Sequence, residues 1–282
     1  MADSLIFLKL GGSILTDKTQ AEAIDRDTLR SIATTLSATL GEDTRLRMLI
    51  GHGGGSFGHY WAERYSTHRG AYDSRGWEGV ARVADAMGRL NRIVVAALLE
   101  AGINAIGVQP SASAIAAGGE LRALATQPIA GMLQARLTPV VYGDVVLDTV
   151  QGAAIASTES IFAYLAPRLA PQRIVLLGER GVFTADPRRD PRAARIPRID
   201  ASNIDAVLAQ AGASHGTDVT GGMASKVRQM WRLAEQSPGL AIYLVGTEPD
   251  VVRAAVRGET VAAGTVIQHG WEMARPPTTD HS

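Results

Sequence analysis

Three glycine-rich segments hold the residues of this sequence best suited to chemistry. The first is Leu8-Lys9-Leu10-Gly11-Gly12-Ser13, directly behind an apolar run that reads as a strand. The second is His52-Gly53-Gly54-Gly55-Ser56-Phe57-Gly58-His59, again behind an apolar run. The third is Asp218-Val219-Thr220-Gly221-Gly222-Met223, with Lys226 in the opening turns of the helix expected there. Glycines at a strand end or helix start let the backbone turn sharply and aim its N–H groups at an anion. A following helix adds the positive end of its dipole. Lys9 is itself a signal, because a charge within an apolar strand is costly without a partner. The carboxyl end of an α/β sheet, where ligands bind, is the place to find one. The spacing G-x-x-x-x-G-K-[ST] is absent, so this is not a P-loop. Any one segment also reads as a plain turn. Three of them, each beside a cation or histidine, point to a site that handles polyphosphate.

Composition narrows the class. The 28 basic residues include only three lysines, Lys9, Lys18 and Lys226; the other 25 are arginines. An arginine-rich surface reflects base composition, and the lysines left beside the glycine turns do what a planar guanidinium cannot. Net charge is zero, which argues against a nucleic-acid partner. No apolar stretch is long enough for a membrane span, and the first ten residues lack the features of a secretory signal. The absence of cysteine excludes disulfides, thiolate zinc sites and thiol nucleophiles. Nor do the six histidines show a metal-ligand spacing. The expectation is a soluble, cytoplasmic globular protein.

Alternating elements must position these segments. Strands are expected at Leu5–Leu10, Leu46–Gly51, Asn104–Gln109, Pro139–Tyr142, Arg173–Leu177, Leu240–Val245 and Val261–Ile267. Helices are expected at Asp25–Leu40, Trp77–Ala101, Ser157–Leu169, Ser202–Ala211, Gly222–Gln236 and Asp250–Arg257. Such alternation reads as an α/β fold with a mostly parallel, twice-covered sheet. Val145–Asp148 with Gly152–Ile155 reads as an edge hairpin. A lobe boundary fits near Pro171, giving lobes 1–170 and 171–267, and residues 268–282 read as a frayed tail. The stripe Val80, Val83, Met87, Leu90, Val94 and Leu98 has helix period and suits core or dimer packing.

These segments, together with Tyr142-Gly143-Asp144-Val145-Val146, resemble the amino acid kinase family, and within it the isopentenyl phosphate kinase branch. The resemblance spans roughly residues 5 to 267. It implies an open αβα sandwich with an N-terminal phosphate-acceptor lobe and a C-terminal nucleotide lobe. It also implies ATP with Mg2+, transfer of the γ-phosphoryl group to isopentenyl phosphate, and a homodimer. By position, Lys9 and the Gly11, Gly12 and Ser13 amides would grip the transferring phosphoryl group. Lys18 would stabilise charge in the transition state. Gly54, Gly55, Gly143 and Thr158 would offer contacts to the acceptor phosphate or to ATP, and His59 would hold the acceptor phosphate. Gly222 and Lys226 would hold the phosphates of the nucleotide. Magnesium would ride on ATP, with no dedicated protein ligands.

Two departures stand out. Where the family has Ser-Gly-Asp, this chain has Ser157-Thr158-Glu159, with the Glu159 carboxylate expected between Lys9 and Lys226 as their organiser. The competing reading is an ordinary first-turn glutamate capped by Ser157 or Thr158. Where the nucleotide lobe has Thr-Asp-Val-Asp-Gly, this chain has Leu177-Gly178-Glu179-Arg180-Gly181. His52 is expected to support its loop, and His68, His215, His269 and His281 to be surface residues. The rival functions are a kinase for another small phosphate or phosphonate, of the fosfomycin type, and a nucleotide sensor without turnover.

Overall fold

The computed structural model describes residues 3–17, 20–187, 189–213 and 222–270. The chain opens with β1 (Ser4–Leu10), the short helix α1 (Gly12–Leu15), the hairpin β2 (Thr16–Asp17) and β3 (Ala23–Ile24), and α2 (Arg26–Glu42). Next come β4 (Leu46–His52), α3 (Gly55–Tyr65), the long α4 (Ser74–Glu100), β5 (Ala105–Gly107), β6 (Ile115–Ala117) and β7 (Glu120–Ala123). Then follow α5 (Thr126–Gln134), β8 (Thr138–Tyr142), β9 (Asp144–Asp148), β10 (Gly152–Ala156) and α6 (Thr158–Leu169). The remainder is β11 (Arg173–Leu177), the short β12 (Val182–Phe183), β13 (Arg195–Ile196) and β14 (Arg198–Ile199), then α7 (Ile204–Ala213) and α8 (Gly222–Gln236). It ends with β15 (Ala241–Val245), α9 (Pro249–Arg257) and β16 (Thr265–Gln268).

The main sheet has eight strands in the order β14-β16-β15-β11-β1-β4-β8-β5. All of its pairs are parallel except β15 with β16. Its central strands are apolar on both faces, as a twice-covered parallel sheet requires. Alternate residues of β1 therefore serve two cores: Ile6 and Leu8 pack with α2 and α4 residues such as Leu36 and Leu90, while Phe7 packs with Phe162 of α6 and Met230 of α8. This is the expected αβα sandwich.

Helix limits follow their caps. Asp25 accepts from the Thr28 amide at the start of α2, and Ser157 accepts from the Ser160 amide at the start of α6. α4 begins at Ser74 rather than Trp77 because Asp73 caps it, accepting from Gly76. Its buried face carries Val83, Met87, Leu90, Val94 and Leu98, with Val80 half-buried beside them. The hairpin at 144–156 forms, with Gly152 opposite Asp148, but it belongs to a separate four-stranded sheet in the order β10-β9-β6-β7. The last strand begins at Thr265, four residues later than expected. Gly264 turns there at φ +111°, with the Leu244 carbonyl too close to admit a side chain. Of the expected tail, residues 271–282 lie outside the described residues.

Candidate functional site

The first two glycine turns meet at the carboxyl end of the sheet. β1 and β4 are neighbours, with Lys9 opposite Gly51 and Leu10 opposite His52, so the turns that follow emerge side by side. Their backbones touch: a Cβ on Gly12 would lie 2.4 Å from the Gly55 nitrogen. Gly55 itself has φ +47° and faces the Thr16 hydroxyl and the Gly12 carbonyl, which leaves it no room for a side chain. The contact is laced by hydrogen bonds. The Gly53 amide donates to the Leu10 carbonyl at 3.0 Å, and the Ser56 amide donates to Thr16 Oγ1 at 2.8 Å. Thus Gly11, Gly12, Ser13, Gly54 and Gly55 come together; the Gly11 amide donates to the Leu177 carbonyl at 3.0 Å, and the Phe57 and Gly58 amides both donate to the Gly54 carbonyl.

His52 ties this junction to the next strand. Its ring is fully buried between Asn91 of α4 and Tyr142 of β8, stacked on Tyr142 at 5.4 Å between centroids and 16° between planes. Nδ1 lies 3.2 Å from the Gly53 carbonyl and Nε2 lies 3.1 Å from Asn91 Nδ2. A carbonyl needs a donor and an amide NH2 needs an acceptor, so the proton sits on Nδ1. Burial pushes the imidazole down to about 4, only partly offset by the Gly53 bond, so the ring stays neutral. The His52 carbonyl in turn accepts from the Gly143 amide at 3.0 Å and from Thr158 Oγ1 at 2.7 Å. Gly54, Gly143 and Thr158 are gathered around one residue. The Thr158 hydroxyl is engaged in this bond and its methyl group packs toward Gly51, so what it can still offer a ligand is its first-turn amide.

Lys9 has the partner its burial demands. Its ammonium pairs with the Glu159 carboxylate across 150 residues of sequence, and both side chains are nearly enclosed. Burial alone would raise the Glu159 carboxyl, and it is the largest influence. The charge and hydrogen bond of Lys9, the charge of Lys226 and a backbone bond together outweigh it and hold the carboxyl below its usual range. Glu159 thus pairs with Lys9 and feels the charge of Lys226, while Ser157 caps the same helix; the direct bond expected between Glu159 and Lys226 is absent. Lys226, in the second turn of α8, pairs directly with Glu179 behind β11.

His59 stands on the exposed side of α3, one turn into the helix. Below it, Met87 packs so closely that a Cβ on Gly58 would meet its sulfur at 2.8 Å. Trp61 and Tyr65 continue the helix with Tyr60 exposed beside Trp61, and Trp77, near the start of α4, is exposed as well. Lys18 lies outside the described residues, as do 218–221 of the third glycine segment, His215 and His281. Gly222 opens α8 at φ +64°. His68 is exposed, and His269 is exposed with its ring tilted against Trp231.

Three participants gave no clear signal beforehand. Asn91 is the polar member of the buried stripe Met87, Leu90, Asn91 and Val94, a spacing that could have betrayed it. Glu22 accepts from Trp61 Nε1 at 2.7 Å and from Arg89 at 2.6 Å, clamping the β2–β3 hairpin to α3 and α4. Glu179 had no local signal at all.

Residues 4–244 match the amino acid kinase family. The chain belongs to that family. Among its relatives, the isopentenyl phosphate kinase of Methanothermobacter thermautotrophicus is 36% identical, with 90% of this chain and 92% of the relative covered. The isopentenyl phosphate kinase of Haloferax volcanii is 39% identical over 91% of this chain and 100% of its own. A crystal structure of isopentenyl phosphate kinase superposes with a TM-score of 0.79 at 32% identity, covering 94% of this chain and all of that one. This family member therefore shares both the sandwich and nearly its whole length with those enzymes.

Proposed function

We propose that this amino acid kinase transfers the γ-phosphoryl group of ATP to isopentenyl phosphate, yielding isopentenyl diphosphate and ADP. The observation that carries the reading is the union of Lys9, Glu159 and two fused glycine turns in a chain so similar to isopentenyl phosphate kinases from end to end. An oxygen of the acceptor phosphate attacks the γ-phosphorus, the bond to the β-bridging oxygen breaks, and ADP leaves. The attacking oxygen is already ionised, so no general base is required. Positioning and positive charge then supply most of the catalysis.

In this reading Lys9 and the Gly12 and Ser13 amides hold the moving phosphoryl group, and Lys18 adds charge in the transition state. The Gly11 amide, expected to join them, instead donates to the Leu177 carbonyl at 3.0 Å and fixes the turn. His59, Gly54 and the Thr158 amide take the acceptor phosphate, and Gly143, its amide given to the His52 carbonyl, lies beside Thr158 without a side chain to obstruct it. Gly55, Gly222 and Lys226 take the nucleotide's phosphates. Glu159 touches the reaction only through Lys9, which it orients. The five-carbon tail has no polar handle and would be selected by burial beside Met87 and the α3 aromatics, at about 0.8 kcal/mol per CH2. Among the described residues no three acidic or histidine side chains converge, and both site carboxylates are engaged by lysines. That donor set suits Mg2+ held by phosphate oxygens and water, where it would neutralise developing charge. Acceptor and nucleotide would divide between residues 1–170 and 171–267. A homodimer in the cytoplasm completes the proposal; no helix among the described residues is long and apolar enough to cross a membrane.

The test is ATP turnover, coupled to ADP release, across alkenyl phosphates of increasing length and phosphonates such as fosfomycin. Highest kcat/KM for isopentenyl phosphate is expected. Preference for a polar phosphonate would overturn the substrate, and nucleotide binding without transfer to any acceptor would overturn the enzyme.

A further inference from the structure

Lys226 is the nucleotide's cation in the reading above, yet in the folded chain a carboxylate already holds it. Glu179 lies at the carboxyl end of β11, between Gly178 at φ +106° and Gly181 at φ +113°. The Gly178 amide donates to the Val245 carbonyl at 3.0 Å, fixing the turn to β15. The chain is thereby sent back toward α8, and Glu179 meets the Lys226 ammonium 47 residues further on. Glu159, in contrast, is buried with Lys9 and also feels the charge of Lys226. Among the described residues, Lys9 and Lys226 are thus each matched by a carboxylate where a polyanion must bind.

The two carboxylates are not equivalent. The Glu159 side chain is 11% exposed, and removing its charge would leave Lys9 unpaired in the fold. The Glu179 side chain is 31% exposed, on a turn flanked by glycines, so water can solvate it once Lys226 is taken away. Lys226 needs no second anion to be tolerated, since its own side chain is 22% exposed. This pair, open to water on the Glu179 side, gives way more readily than the enclosed Lys9–Glu159 pair, and phosphate oxygens offer the ammonium a stronger, multiply charged partner.

We propose that Glu179 is a displaceable counter-ion that sets nucleotide affinity: it pairs with Lys226 until a nucleotide binds and then yields it to the nucleotide's phosphates. It rests on the assignment of Lys226 to the nucleotide. Glu179 is a positioning residue, because it acts through Lys226 and not on the reacting atoms. Its return to the ammonium as ADP departs favours product release.

The experiment is calorimetric ADP binding to the unaltered protein, Glu179→Gln, Lys226→Met and the double variant, with KM for ATP and for isopentenyl phosphate measured alongside. Glu179→Gln is expected to tighten ADP by about 2- to 5-fold, the scale of one partly exposed ion pair. KM for ATP should fall in step while KM for the acceptor stays within about twofold. The gain must vanish when Lys226 is Met, so that the double variant binds ADP like Lys226→Met alone. Unchanged or weaker ADP binding in Glu179→Gln, or a gain that survives loss of Lys226, overturns the proposal. Failure of the unaltered protein to phosphorylate isopentenyl phosphate while still binding ADP strikes only the substrate reading. Failure to bind ADP at all overturns both.

Discussion

His52 gives a prediction whose size follows from its surroundings. The ring is wholly buried and neutral, with its proton committed to the Gly53 carbonyl and its bare nitrogen facing the Asn91 amide. Its ordinary value of 6.5 is lowered to about 4 in the fold, chiefly by burial. As pH falls, the unfolded chain takes up this proton first, near 6.5, and the native state resists until about 4. The His52 contribution is therefore fully present above the unfolded value, drains away between the two, and changes no further below the lower one. A gap of roughly 2.5 units corresponds to about 3 kcal/mol at most. Urea unfolding of the unaltered protein and His52→Gln across that pH range would isolate it. The Gln variant should start less stable at neutral pH, by about 1–3 kcal/mol for the partners left unpaired, and its stability should then fall less steeply with acid. Histidine NMR supplies the site-specific check, since the chain has only six. Parallel stability curves for the two proteins, or a His52 resonance titrating near its ordinary value, would refute the reasoning.

Glu159→Gln is expected to lower kcat by roughly 10- to 1000-fold, because a misplaced Lys9 forfeits transition-state stabilisation, and to lower the melting temperature clearly, because the buried ammonium loses its partner. Glu159→Asp should recover part of that activity, and a fully active Gln variant would remove the organiser role. Gly12→Ala should cost about 100-fold or more in turnover, since its Cβ would stand 2.4 Å from the Gly55 nitrogen and force the two phosphate turns apart. Circular dichroism should show the α/β fold intact in that variant, and turnover within a few-fold of normal would mean the contact is not needed.

Short-range chemistry was the legible part of this sequence. The strand Arg173–Leu177 and the helix Gly222–Gln236 have the limits expected of them, because an apolar run and a glycine start are local signals. The glycine turns could be read for the same reason. The elements overlooked were those whose logic is distant or whose signal is short. α5 has nine residues and buries only Ile129 and Leu133, too few to print a period. β6 has three residues, short enough to print no alternation; it forms a hairpin with β7 across Gly118-Gly119 and is tied into its sheet by β9 some thirty positions later. α3 was anticipated only as a helix start behind His52; its body reads as aromatic and polar residues without a continuous apolar stripe.

The site divides along the same line, and its two glutamates show why. Both lie near the lysines, yet neither pairing is local: Glu159 meets Lys9 across 150 residues and Glu179 meets Lys226 across 47. Sheet order creates the first pairing. β1 lies at the centre, between β4 and β11, so a charge near its end faces whatever helix packs across that end. The resemblance to a known family could point to Glu159, because that position already had a partner pattern attached to it. Glu179 stands where the family pattern is broken, and no residue beside it announces a role. Burial separates the two by function. The enclosed carboxylate is indispensable to a buried ammonium and cannot leave, whereas the half-open one can be solvated and replaced. A site for a polyanion needs both kinds: one anion to keep its cations folded, and one that gives way when the ligand arrives.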